Sequence, residues 1–82
     1  MHKVSLVRVK KGIKVKIVEI SAGKLASSRL SSLGLRVGGC VIKISAFALK
    51  GPITVKIGST TLALGHGMAE KIIVDSRPEL CK

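Results

Sequence analysis

SSRLSSLGLRVGG, residues Ser27 to Gly39, decides how the rest of the chain is read. It begins like a helix and then meets three glycines within six residues, Gly34, Gly38 and Gly39. Wound at about 3.6 residues per turn, Ala22, Leu25, Ala26, Leu30 and Leu33 fall on one stripe. Ser27, Ser28, Ser31 and Ser32 fall on the other side. Gly34 follows the last apolar residue, which is the signature of a left-handed C-terminal cap. A side chain there would cost on the order of 1–2 kcal/mol. In that motif Leu35 folds back onto Leu30. The spacing therefore predicts a helix that opens at Gly23, stops at Gly34 and feeds a strand.

Upstream, KGIKVKIVEIS (Lys11 to Ser21) alternates Ile13, Val15 and Ile17 against Lys14 and Lys16, as a half-buried strand does. The phase then slips to Val18 and Ile20, and a bulge would absorb the slip. Downstream, CVIKISAFAL (Cys40 to Leu49) groups Cys40, Ile42, Ile44 and Ala46 on one face and Val41 and Lys43 on the other. GPITVKIG alternates through Ile53, Val55 and Ile57. Gly58-Ser59 then reads as a two-residue turn that returns the chain through Leu62 and Leu64. Residues 53–65 are thus expected to form a hairpin. GHGMAEK is expected to hold one helical turn, IIVD (Ile72 to Asp75) a closing strand, and SRPELCK a frayed tail. Gly34, Gly38, Gly51, Pro52 and Gly58 are the expected structural turns. Short strands with glycine punctuation and one inserted helix predict a mainly-β domain, a small barrel or sandwich of about five strands. One domain is expected over residues 1–82, with its core in 4–75 and the tail in 76–82.

Composition bounds the function. With 82 residues the chain can bury one modest core, with little room for an enclosed active site. Fifteen Lys and Arg against four carboxylates give a net charge of +11, which attracts nucleic acid, an anionic membrane or an acidic protein. A hydrophobic fraction of 46% excludes a disordered basic tail. No apolar run reaches the roughly 18 residues of a membrane span, and the N-terminus lacks the apolar segment of a signal peptide. A soluble cytoplasmic protein is expected, with Cys40 and Cys81 as free thiols and Cys40 buried in the core.

The chemistry-bearing side chains are sparse. His2, His66, Cys40 and Cys81 show no CxxC, HxH or HxxxH pair, so no metal site and no cofactor is expected. No Ser–His–acid set, carboxylate pair or phosphate loop is present, so no catalytic residue is assigned and the chain reads as a non-enzyme. Lys14, Lys16, Lys43 and Lys56 are expected to point outward, solvated or facing an anionic bilayer. Arg29 has a plain reading, its stem on the core and its guanidinium on a backbone carbonyl or Glu19. Its functional reading is the edge of a partner-binding groove. The uncharged serine face is either a tolerant exposed surface or one that admits close approach by a partner.

The order of these pieces resembles the FeoA family. Leu6 and Gly12 come first, then IVEI (Ile17 to Ile20), Gly23, and the helix with Arg29 and Leu30. LGLRVG (Leu33 to Gly38), GPITVKIG (Gly51 to Gly58), LAL (Leu62 to Leu64) and AEKIIV (Ala69 to Val74) follow. The resemblance covers nearly all of residues 4–75. It implies an SH3-like barrel of about five strands with one inserted α-helix. It also implies a cytoplasmic accessory protein that docks on the FeoB-type ferrous-iron transporter, at its GTP-binding or membrane domain. Ser28, Arg29, Ser32, Leu33, Leu35 and Arg36 are the proposed contact residues. The alternatives are a basic SH3-like nucleic-acid-binding module, disfavoured by a lone aromatic residue, and a metal-regulator domain detached from its DNA-binding part.

Overall fold

In the computed structural model, residues 3–46 and 51–81 are described. The sheet has six antiparallel strands. They are β1 (Lys3–Ser5), β2 (Lys14–Ile20), β3 (Cys40–Ala46), β4 (Ile53–Ile57), β5 (Thr60–Leu64) and β6 (Ile72–Asp75). Their spatial order is β1-β6-β2-β3-β4-β5. Helix α1 (Gly23–Ser32) joins β2 to β3, and the short α2 (His66–Glu70) joins β5 to β6. Tight 3-10 turns stand at Leu6–Arg8 and Pro78–Leu80. The count exceeds the expected five because β1 pairs with β6 through Lys3↔Asp75, Val4↔Val74 and Ser5↔Ile73.

The alternation in β2 sends Val15 and Ile17 inward, and Val41, Ile53, Val55, Ile72 and Val74 meet them in one cluster with Leu6, Leu30 and Leu35. Inner faces of successive strands can converge this way only if the sheet curls. Two irregularities supply the bend. The β2–β6 register shifts between Ile17 and Glu19, where the sequence changes phase. The β3–β4 register shifts between Lys43 and Ser45. The hairpin is as expected: Ile57 faces Thr60, and Gly58 takes φ +59° between them. Gly51 and Pro52 lead into β4 beside residues 47–50, so their turn, like Phe47 and His2, lies at or outside the limit of the described residues.

Three expectations are corrected. First, the faces of β3 are the reverse of those expected. Val41 and Lys43 point inward at 1% and 5% exposure, whereas Ile44 is 40% exposed. Lys43 is accommodated because its ammonium donates to Val7 O at 2.9 Å and Val9 O at 2.8 Å. Those carbonyls belong to the chain leaving the 3-10 turn, and a buried cation is tolerated when its donors are satisfied. Second, Cys40 and Cys81 are not free. They form a disulfide, with Cα atoms 6.1 Å apart. Third, the tail is folded. Asp75 is buried beside it. The Arg77 guanidinium donates to both Asp75 carboxylate oxygens, Nε to Oδ1 at 3.0 Å and Nη2 to Oδ2 at 2.8 Å. The Arg77 amide also donates to Oδ1 at 3.0 Å. Lys3, Asp75, Lys16 and Cys40 stand opposite one another across four strands. The tail is therefore fastened to the outer face of the sheet, away from the core.

Candidate functional site

Helix α1 spans ten residues and buries a single side chain, Leu30. Its start has no side-chain cap, since Ala22 occupies the N-cap position. Its end is well made. Gly34 takes φ +97°, its N–H donates to Ser31 O at 2.9 Å, and the Leu35 N–H donates to Leu30 O at 2.9 Å. These two bonds are the paired closure of a Schellman motif, and they satisfy carbonyls that a helix end leaves open. Leu35 is thereby drawn into the core at 0% exposure. It cannot be a contact residue, which corrects its assignment to the partner surface.

A second turn follows at once. The Gly39 N–H donates to Arg36 O at 3.0 Å across Val37 and Gly38, and Gly38 takes φ +93°. Glycine is the residue that the third position of such a turn requires. The Gly38 N–H then donates to Ile17 O at 2.8 Å, and Gly39 O accepts from the Ile17 N–H at 2.8 Å. The bulged part of β2 thus holds the turn, and the turn holds the end of α1.

The rotation of α1 differs from the expected stripe. Leu30 is its only buried residue. Ala26, Ser27 and Ser31 are half-buried beside it, while Leu25, Ser28, Arg29 and Ser32 are exposed. The serines are therefore split, two toward the sheet and two toward solvent. Leu25 is 88% exposed, Leu33 47% and Val37 58%. The Ser32 hydroxyl donates to Arg29 O at 2.7 Å, within its own helix. The Arg29 guanidinium has no hydrogen-bonding partner among the described residues, and Glu19 accepts from the Ser21 hydroxyl at 2.7 Å instead. The expectation that Arg29 reaches Glu19 is thus corrected. Arg36 is exposed.

Ser28, Arg29, Ser32, Leu33 and Arg36 are all exposed, and so are Leu25 and Val37, which sequence reasoning missed. Helical spacing puts Leu25 on the core stripe because it ranks leucines together without saying which stripe faces the sheet. The surface is apolar at its leucines and valine, small at its serines and basic at its two arginines. His66 Nδ1 lies 3.2 Å from Glu70 Oε1 on α2. No cluster of three or more potential metal ligands exists among the described residues. No helix among them is long and apolar enough to cross a membrane.

Residues 4–76 match the FeoA domain. No curated protein matches the chain. Among solved structures, the iron uptake regulatory protein FeoA is 30% identical, with 90% of this chain and 96% of that chain covered and a TM-score of 0.78. The FeoA protein from Chlorobium tepidum is 26% identical over 89% of this chain and 70% of that one, with a TM-score of 0.81. A manganese-dependent transcriptional repressor is 25% identical with a TM-score of 0.79, and the match takes in 92% of this chain but 42% of the repressor. The curled sheet with its single long helix is the SH3-like fold of these proteins, and the chain belongs to the FeoA family.

Proposed function

We propose that the chain is a non-catalytic accessory protein of ferrous-iron uptake that docks on a FeoB-type transporter through the outer face of α1. Family membership supports the role in ferrous-iron transport. The observation that carries the docking reading is Leu25. It is 88% exposed on a helix that buries one side chain, with Leu33 and Val37 exposed nearby. Apolar side chains grouped this way, with serines between them, favour a partner that removes them from water. To change transport, the module must bind one transporter conformation more tightly than another. Such a protein works at the cytoplasmic face of the membrane.

The test is an NMR titration of the labelled protein with the GTP-binding domain of the FeoB from the same organism. Shifts confined to residues 24–38 are expected, and Ser28→Glu or Leu25→Asp should abolish them while leaving the spectrum of the free protein folded. Shifts that survive both substitutions, or that fall on β4 and β5, would place the contact elsewhere and sink this reading.

A further inference from the structure

The outer face of the sheet presents a second surface, remote from the helix. Strand register sets Lys14 of β2 opposite Ile42 of β3, and Ile42 opposite Lys56 of β4. Residues opposed in this way share a face, so a half-buried isoleucine is bracketed by two exposed lysines. Two residues on, Ile44 is 40% exposed. At that end the Gly12 N–H donates to Lys43 O at 2.7 Å, so a glycine lies alongside and offers no side chain for cover. The same connector carries the exposed Lys10 and Lys11. The outward positions of β4 and β5 add threonines and an alanine, with no carboxylate. Of the acids, Glu19 lies past the bulge and Glu70 faces His66, while Asp75, held by Arg77, and Glu79 belong with the tail, which is fastened to the neighbouring part of this face and not between Lys14 and Lys56.

We propose that this face docks on an anionic lipid bilayer, with the lysines among the headgroups and Ile42 and Ile44 at the edge of the acyl region. Unbalanced cations around uncovered aliphatic side chains match that surface in both charge and polarity. A nucleic acid matches only the charge, and a chain with one aromatic residue has little on which bases could stack. Helix α1 leaves β2 past Ile20, about 20 Å along the strand from Lys14 at strand rise. The inference does not rest on the transporter reading, because vesicle binding is measured with no transporter present.

Sedimentation with phosphatidylcholine vesicles, with and without phosphatidylserine, at physiological salt tests it. The protein should bind the anionic vesicles alone. Replacing Lys14 and Lys56 by Ser should weaken binding by about fivefold for each lysine. Ile44→Ser should weaken it severalfold at unchanged charge, and Lys24→Ser on α1 should leave it unchanged. All four positions are exposed, and unchanged melting temperatures would verify the fold. Three results would overturn the proposal. They are no preference for anionic vesicles, an equal loss from Lys24→Ser (net charge alone), and single-stranded RNA displacing vesicles with Ile44→Ser without effect.

Discussion

Lys43 occupies a position where an aliphatic residue would ordinarily fill the interior. Its two carbonyl partners lie 36 and 34 residues away in sequence, at Val7 and Val9. Replacing it with Met keeps the stem and strands both acceptors, which should cost about 1–3 kcal/mol in urea denaturation. Burial also pushes the ammonium below the ordinary lysine value of 10.5. Between that lowered value and 10.5, the unfolded chain holds a proton that the folded protein has released. Stability contributed by this group therefore rises with pH across that window, and the desolvation cost is full below it. The difference between wild-type and Lys43→Met midpoints, followed through alkaline pH, isolates the effect from the other lysines. None of this was legible locally. In CVIKIS the isoleucines outvote a valine and a lysine for the interior, and only the distant carbonyls reverse the vote.

At the scale of elements, the part of the fold set by neighbours in sequence was readable and the part set by distant contacts was not. The stop of α1 was readable because Gly34 and Leu35 close on Ser31 and Leu30, a few residues away. Gly34→Ala should cost about 1–2 kcal/mol at φ +97°, and a chemical melt would measure it. Which stripe of α1 faces inward depends on the sheet, so spacing alone places Leu25 in the core, whereas it is 88% exposed. Leu30→Ala should cost about 2–5 kcal/mol and loosen the helix, seen as faster amide exchange over residues 23–32. The tail is the other distant contact. Sequence spacing alone could not bring Cys81 to Cys40 across 41 residues. Cys81→Ser should lower stability by about 2–4 kcal/mol and speed exchange at residues 76–81, while β2–β5 keep their protection.

For the molecule as a whole, the net charge of +11 acts against compactness as well as toward anionic partners. Adding salt screens the repulsion between exposed lysines, with a Debye length of about 8 Å at 0.15 M. The melting temperature should therefore climb with sodium chloride in calorimetry, while vesicle binding falls over the same range. A protein held mainly by its ion pairs would show no such climb. The composition makes the charge legible, but its arrangement, with lysines flanking a half-buried isoleucine on one face, needs the strand register.

The position of β6 between β1 and β2 bears on how the molecule is made. The ribosome delivers β6 last among the strands, yet it separates the first two. Until residues 72–75 leave the exit tunnel, β1 has no neighbour, one side of β2 is bare, and the places of Ile72 and Val74 in the interior stay empty. The hairpin and the β2–β3 pair can assemble on the nascent chain. Completion waits for β6, so a chain cut ahead of residue 72 yields a partial sheet with two open margins rather than a smaller version of the protein.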